Sequence, residues 1–344
     1  MIDSKPAVKK LDLRWVPGVL ISALAIFAII RFANIKDVGP ALRTVKVGFV
    51  LLLLGLSVVT LVVRGMAWKS ILGNKVNFTT AFFGVCEGYF LNNLLPFRAG
   101  ELARGLFVGR SSGLGTVHVL STIVIERAFD IAFAASIILL TLPKVVGASW
   151  MRPVGLTAFA VVMAGLLALF VISKNRYRVK DWIESRNFRS AFINTRIVPQ
   201  VNKLLDGLEA LVHPAQFFMS IFWIGMTWLL WVVIYHLAVS QLVETAPLWW
   251  GGFIASLLAL GVAIPSAPAA VGVYEASVVG AFSILGVSSG MALAYAIVLH
   301  VAQILTTTVF GLWGMIRDGR RFSDILASIS VKRQVEESSN NQEI

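Results

Sequence analysis

Residues 91–105 read LNNLLPFRAGELARG, and they interrupt an apolar stretch that runs from about residue 79 to 110. Pro96 lacks a backbone N–H and clashes with the preceding turn, so it is expected to end a helix. Gly100 permits tight or left-handed backbone. A second helix is then expected to begin near Glu101, and the stretch is predicted to be a broken helical hairpin.

A second interrupted stretch, from about residue 249 to 288, contains IPSAPAAVGVYE at 264–275. Here Pro265 and Pro268 break the helix, and Gly272 supplies backbone freedom. Two interrupted apolar segments in corresponding halves of a chain are typical of helices broken around a site near the middle of a membrane. For either stretch, a tight pair of short helices that each cross the membrane is the alternative.

The composition of the chain is that of a membrane protein. Of its 344 residues, 57% are hydrophobic and 14% are charged, whereas soluble domains carry about 25% charged residues. Apolar runs of roughly 17–25 residues can cross a bilayer as helices. The predicted fold is an all-α polytopic membrane protein with about six full spans and two re-entrant or broken hairpins, arranged like an inverted repeat. The predicted spans are 16–33, 45–63, 119–141, 153–172, 217–239 and 291–314.

The positive charges predict the orientation of the chain. They give a net charge of +12 and are concentrated in residues 1–15, after the second span, in the loop 173–216 and after the last span. Lys and Arg are enriched in cytoplasmic loops, and these segments share one side only if neither hairpin makes a single net crossing. Both termini are therefore predicted to be cytoplasmic, in an inner (plasma) membrane. Basic residues placed in this way suit anionic lipid headgroups, so nucleic acid is not an expected partner.

The predicted domain layout follows from these boundaries. A cytoplasmic N-terminus, 1–15, precedes a transmembrane domain, 16–316, and a polar cytoplasmic tail, 317–344, that is expected to be disordered. In the cytoplasmic loop, apolar residues recur at helical spacing from Ile197 to Val212. They predict an amphipathic helix that lies on the inner leaflet or packs against the bundle.

The predicted span 119–141 reads VLSTIVIERAFDIAFAASIILLT and carries Glu126, Arg127 and Asp130. A charged residue at the centre of a membrane helix costs about 2.5–3.5 kcal/mol, while each large apolar residue returns about 0.3–0.6 kcal/mol. This helix therefore needs a polar or protein-lined surface for its charged face. Arg127 and Asp130 are one turn apart and can pair. The charged face either lines a polar cavity or forms an ion-pair cluster that fixes helix packing.

The first hairpin brings cations and a helix start close together. Arg98 and Arg104 carry guanidinium groups, which suit the oxygens of a phosphate. The first turn of a helix that begins near Glu101 presents unpaired N–H groups and the positive end of its dipole to an anion. An anion site is the functional interpretation, and a cytoplasmic loop with ordinary helix capping is the alternative.

Motifs of common catalytic sites are absent from the sequence. It contains no G-x-x-x-x-G-K-[ST] phosphate loop, no H-E-x-x-H and no G-x-S-x-G, and Cys86 is its only cysteine, so no intrachain disulfide can form. No enzyme activity, metal or cofactor is predicted. His236 and His300 lie in predicted spans and are interpreted as hydrogen-bonded packing residues, with Gln303 one turn from His300 and able to satisfy it.

Three segments resemble the flippase-like membrane domain of bacterial lysylphosphatidylglycerol synthases. They are GYFLNNLLPFRAGELARG at 88–105, IERAFD at 125–130 and IPSAPAAVGVYEASVV at 264–279. The chain departs from that pattern at Ala269 and Ala270, where glycine is expected. The synthases also carry a soluble aminoacyl-transferase domain, which is not expected here. The resemblance therefore implies lipid translocation between leaflets and does not imply lipid aminoacylation.

The resemblance leads to a predicted flippase or scramblase for an anionic, modified or polyprenyl-linked lipid. Its expected partner is a membrane phospholipid or lipid-linked substrate, and a homo-oligomer or a lipid-modifying enzyme is compatible with this function. One alternative is a membrane enzyme that uses Glu126 and Asp130 as acid and base. The other is a regulatory subunit that does not transport.

The candidate site residues form three sets. Those predicted to bind the headgroup are Asn92, Asn93, Arg98, Arg104 and Arg127. Those predicted to line the cavity or carry protons are Glu87, Glu101, Glu126, Asp130 and Glu275. Those predicted to break the helices are Pro96, Gly100, Pro265, Pro268 and Gly272.

Overall fold

The computed structural model describes residues 16–147, 151–186, 198–199, 201–202 and 212–320. Over these ranges the regular secondary structure is entirely helical, with twelve α-helices. The first six are α1 (Val16–Phe32), α2 (Val38–Thr44), α3 (Val47–Ile71), α4 (Phe78–Leu94), α5 (Ala99–Ser111) and α6 (Thr116–Val146). The others are α7 (Met151–Lys174), α8 (Arg176–Ser185), α9 (Pro214–Ser240), α10 (Leu248–Val262), α11 (Val273–Ile284) and α12 (Ser289–Arg317).

Helices of membrane-spanning character are present, which confirms the prediction of an all-helical membrane protein. By length and composition, α3, α9 and α12 can each cross a membrane. A fourth candidate is α1 taken together with the helical segment Ile35–Thr44, which is bent from it by 83°. The predicted spans 119–141 and 153–172 are also helical, and they lie within α6 and α7. The full count of six spans stays a prediction.

The first break separates α4 from α5. Asn77 caps the start of α4 by accepting a hydrogen bond from the backbone N–H of Thr80 (2.8 Å). The helix ends at Leu94, and a 3-10 turn that begins at Pro96 leads directly into α5. Pro96 thus lies where a residue without an N–H is tolerated, at the start of a helical turn.

Gly100 has a different role from the predicted one. The left-handed residue of this break is Arg98 (φ 54°), whereas Gly100 lies in the first turn of α5 with an ordinary helical conformation. It is buried against α4, where an added Cβ would collide with the backbone oxygen of Gly88. Gly100 is therefore needed for the close approach of α4 and α5, and the change of chain direction occurs two residues earlier.

The second break separates α10 from α11. It contains Pro265 and a 3-10 turn, Pro268–Ala270, and Gly272 (φ 84°) precedes α11 in a conformation that favours glycine. Ala269 and Ala270 also adopt left-handed conformations, with φ of 56° and 55°. A left-handed residue with a Cβ costs roughly 1–2 kcal/mol. The two positions where the resemblance leads us to expect glycine are thus positions where glycine would be unstrained.

The two breaks lie against each other in the fold. The 3-10 turn Pro96–Arg98 contacts the turn Pro268–Ala270, and α4 also packs against this second turn. Around them α3 packs on α9, α4 on α12, and α10 on both α6 and α9. Trp68 and Trp228 are among the large side chains fully buried in this core.

Several predicted segments lie wholly or mainly outside the described residues. These are the N-terminus 1–15, most of the tail 317–344 and most of the predicted amphipathic helix between Ile197 and Val212. Within the predicted cytoplasmic loop, the structure describes α8, which follows α7 after a one-residue turn at Asn175.

Candidate functional site

The two breaks border a cavity of about 450 Å³. This volume lies within the range of about 300–1,000 Å³ that is typical of ligand pockets. Its wall is completed by residues of both breaks and by residues of α3, α4, α5, α6, α9, α10, α11 and α12. The charged residues in its lining are Arg64, Arg98, Glu101, Arg127 and Asp130.

Arg64 on α3 joins the two carboxylates of α6. It donates hydrogen bonds to both oxygens of Asp130, one of them at 2.8 Å, and also forms an ion pair with Glu126. Trp228 on α9 donates to Asp130 as well, at 3.3 Å. The Arg64 side chain is 1% exposed. A guanidinium bound in this bidentate way offsets the cost of placing the carboxylates inside the protein.

Arg104 lies behind this cluster, away from the cavity lining. Its guanidinium donates to Glu126 and stacks over the ring of Trp68 at 4.1 Å from the ring centroid. The side chain is 2% exposed. Trp68 is fixed in turn by a hydrogen bond from its Nε1 to the hydroxyl of Thr122 (3.2 Å). Arg104 therefore holds α5 against α6, and the structure does not bring it to the cavity with Arg98 and Arg127.

Arg127 and Arg98 are the more accessible cations of the cavity. The Arg127 side chain is 26% exposed and donates to Glu126 at 2.9 Å, with Asp130 at 3.3 Å. Arg98 is 36% exposed and donates to the backbone oxygen of Val262 at the end of α10 (3.0 Å). This bond connects the first break to the second hairpin and supports the left-handed conformation of Arg98.

Glu101 lies between these two arginines and is held loosely. Its Oε1 is 3.5 Å from Arg98 Nη1 and 3.7 Å from Arg127 Nε. These separations are ionic contacts, longer than a normal N–H···O hydrogen bond. The Nε of Arg127 has no hydrogen-bond partner among the described residues. Glu126 and Asp130, in contrast, each accept hydrogen bonds from arginine.

The two asparagines of the first hairpin line the cavity while fixing its wall. Asn92 accepts a hydrogen bond from the backbone N–H of Gly100 (2.9 Å), across the close contact between α4 and α5. Asn93 donates to the hydroxyl of Thr307 on α12 (2.9 Å). Each asparagine therefore uses one polar group to hold a helix in place.

The cavity wall also contains a histidine, His300, that is bound to a glutamate. His300 Nδ1 lies 2.6 Å from Glu275 Oε1, and His300 Nε2 lies 2.9 Å from the backbone oxygen of Ala269. The His300 ring stacks on Tyr274 (4.0 Å between ring centroids), whose hydroxyl is 3.0 Å from that of Tyr235. The expected pairing of His300 with Gln303 is not the one found, because α11 brings Glu275 directly against the imidazole.

Glu87 lies in a separate ion-pair group. Its carboxylate is buried and paired with Arg320, beyond the end of α12, which also pairs with Asp318 (2.8 Å). Arg320 stacks over the ring of Phe107 at 4.6 Å. Among the described residues, Glu87 is not part of the cavity lining. It joins α4 to the end of α12 and is not near the other candidate carboxylates.

Arg64 is the principal site residue that the sequence analysis missed. The predicted second span ends at residue 63, so Arg64 falls among the basic residues that follow that span. In the structure α3 continues to Ile71 and carries Arg64 inside the bundle. A signal existed in the sequence, because the apolar helical pattern continues past Arg64 through Ala67, Trp68 and Ile71.

The comparisons with known proteins agree on one family. The model of the lysylphosphatidylglycerol synthase TM region matches residues 15–311. The chain is 24% identical over 331 residues to a UPF0104 membrane protein of Methanothermobacter thermautotrophicus, which covers 88% of this chain and 92% of that protein. A second UPF0104 membrane protein from the same organism is 25% identical over 268 residues, covering 73% and 78%.

No solved structure matches the chain. The family match, however, spans the whole region from α1 to α12 and includes both breaks and the charged segment of α6. It confirms the resemblance drawn from the three sequence segments. This membrane protein belongs to the family of the lysylphosphatidylglycerol synthase TM region.

Proposed function

We propose that this protein moves an anionic lipid between the leaflets of an inner (plasma) membrane, as a flippase or scramblase. The phosphate of the lipid headgroup binds Arg98 and Arg127 in the cavity, while the acyl chains stay in the bilayer. The family to which the chain belongs is named after a synthase that modifies lipids, and this supports a role with membrane lipids.

The proposed topology has six spans and two hairpins. The spans are α1, α3, α6, α7, α9 and α12, and the pairs α4–α5 and α10–α11 enter from opposite leaflets without crossing, like an inverted repeat. The hairpin helices have 17, 13, 15 and 12 residues, at or below the lower limit for crossing a bilayer. This arrangement places both termini and the basic segments in the cytoplasm, as the positive-inside rule requires.

The observation that carries the proposal is the charge balance at the first break. Four guanidinium groups, those of Arg64, Arg98, Arg104 and Arg127, face only three carboxylates. Among the residues that the structure describes in this cluster, one positive charge is therefore uncompensated. An ionisable residue in a membrane-spanning bundle is costly and is typical of sites for substrates or ions. An anionic headgroup supplies the missing negative charge.

The exposure of the four arginines supports Arg98 and Arg127 as the two that bind the headgroup. Arg64 and Arg104 are 1% and 2% exposed and are hydrogen bonded to Asp130 and Glu126, so they form the fixed part of the cluster. Arg98 and Arg127 are 36% and 26% exposed and line the cavity. Two guanidinium groups on different helices can bind different oxygens of one phosphate.

Glu101 acts in this proposal as a resident anion that the lipid displaces. It makes only long contacts with Arg98 and Arg127, at 3.5 and 3.7 Å. Because partly exposed ion pairs of this kind contribute little free energy, a phosphate can replace the carboxylate at small cost. After the headgroup leaves, Glu101 returns and keeps the two arginines paired.

The proposal is tested with purified protein in vesicles that contain fluorescently labelled phosphatidylglycerol. A reductant that does not cross the membrane bleaches the outer leaflet, and further loss of fluorescence reports lipid movement. The Arg98→Ala/Arg127→Ala double variant is expected to lose this movement while remaining helical by circular dichroism. The matched control is Arg43→Ala/Arg110→Ala, because both arginines are exposed and neither lines the cavity. Lipid movement at the parent rate in the Arg98/Arg127 variant would refute the proposal.

A further inference from the structure

We propose that Glu275 and His300 form a proton-binding site, and that the proton they share holds the second break in the conformation seen here. The inference does not depend on which ligand the cavity takes. It follows from which atoms of the two side chains can donate and accept hydrogen bonds, and from the strained backbone that they hold.

The contacts of His300 determine how many protons the pair contains. The backbone oxygen of Ala269 can only accept a hydrogen bond, so His300 Nε2, at 2.9 Å, must carry a hydrogen. Glu275 Oε2 accepts from the backbone N–H of Gly272 at 2.7 Å. The remaining contact, 2.6 Å between His300 Nδ1 and Glu275 Oε1, also needs a hydrogen between its two atoms.

One further proton therefore lies between Nδ1 and Oε1. It belongs either to an imidazolium that faces a carboxylate or to a carboxylic acid that faces a neutral imidazole, and the pair has the same total charge in both cases. Without this proton, a neutral imidazole has one donor and two acceptors to satisfy. The imidazole must then lose either its hydrogen bond to Glu275 or its hydrogen bond to the backbone oxygen of Ala269.

The partners of this pair are two residues of the second break that have a positive φ. Glu275 binds Gly272, which has a positive φ, and His300 binds Ala269, which is left-handed although it has a Cβ. The imidazole on α12 thus holds the end of the 3-10 turn and the start of α11 at the same time. Because left-handed alanine is unfavourable by itself, loss of either contact is expected to let the break relax.

The surroundings allow this proton to exchange. His300, Tyr274 and Ala269 line the cavity, and so does Tyr235, whose hydroxyl is bonded to that of Tyr274. Tyr274 stacks flat on His300 and fixes the plane of its ring. The other titratable or charged groups in the cavity lining are Arg64, Tyr89, Arg98, Glu101, Arg127 and Asp130. The arginines and acids among them form ion pairs with one another.

The test places a probe on the second break and changes the pH. Cys86 is first replaced by alanine, and Val271→Cys, at an exposed position between the 3-10 turn and Gly272, is labelled with a trifluoromethyl reagent. The fluorine NMR signal is then followed from about pH 5 to about pH 9, the range around the ordinary titration of histidine. In the parent we expect the signal to change with pH as a one-proton titration.

Two variants decide between a proton site and a passive packing contact. In Glu275→Gln the amide can donate to Nδ1 and accept from Gly272, so the signal should keep its low-pH position over the whole range. In His300→Ala it should keep the high-pH position. His236→Gln, which removes a histidine on α9 that lies outside the cavity lining, should titrate like the parent. A parent signal that does not move, or a Glu275→Gln signal that titrates like the parent, would overturn the proposal.

Discussion

Both breaks interrupt an apolar helical stretch, but different side-chain contacts stabilise them. The first break joins its helices through glycine contacts and surrounds itself with arginines and carboxylates that carry a net positive charge. The second break has two left-handed alanines and is held by a histidine–glutamate pair of zero net charge. This difference in charge and backbone supports the two proposals, that the first break attracts an anion and that the second break changes conformation.

The largest expected effect concerns the charge cluster beside the first break. Glu126→Ala removes the carboxylate that pairs with Arg64, Arg104 and Arg127. Because it leaves buried guanidinium groups without their partner, we expect a loss of about 3–5 kcal/mol in the free energy of unfolding. Thermal or denaturant unfolding in detergent measures this loss. Glu244→Ala, at an exposed glutamate, is the control and should change stability by less than about 0.5 kcal/mol. Equal stability of the two variants would mean that the cluster does not hold the helices together.

A smaller effect of opposite sign is expected at the second break. Ala269→Gly and Ala270→Gly remove the left-handed strain, which is worth roughly 1–2 kcal/mol per residue, but the greater freedom of glycine in the unfolded chain cancels about 0.5–1 kcal/mol of this gain. Each variant should therefore be more stable than the parent by up to about 1.5 kcal/mol in the same unfolding assay.

The control for the alanine variants is Ala276→Gly, in the ordinary helical backbone of α11. There glycine should destabilise the protein by about 1 kcal/mol, as it does in helix interiors. If all three glycine variants lost stability equally, Ala269 and Ala270 would not be strained, and the contrast between the two breaks would be lost.

Much of the fold was predictable because its signals are local. Pro96 and Pro268 indicate the two breaks because proline lacks a backbone N–H. The charged residues of α6 are conspicuous in an otherwise apolar helix, and helical spacing alone places Arg127 beside Asp130. Gly272, which was predicted to supply backbone freedom, has a positive φ.

The remaining features depend on contacts between distant segments. Arg64 meets Asp130 only because α3 continues past its predicted end and packs beside α6. Glu275 reaches His300 because α11 packs on α12, although Gln303 is the nearer candidate in the sequence. The left-handed conformation of Arg98 could not be expected either, because residues with a Cβ rarely adopt it and a backbone oxygen of α10 helps to hold it here.

The smallest expected effect tests the central claim most directly. That claim is that Arg98 and Arg127 bind an anionic headgroup, and that Glu101 pairs with them when no headgroup is bound. Native mass spectrometry can compare how much phosphatidylglycerol stays bound to the parent, to Glu101→Gln and to Arg98→Ala/Arg127→Ala. Because partly exposed ion pairs contribute about 0.2–1 kcal/mol, Glu101→Gln should bind the lipid a few-fold more tightly than the parent, and the double arginine variant should bind it least. Equal binding by all three proteins, or weaker binding by Glu101→Gln than by the parent, would contradict the account.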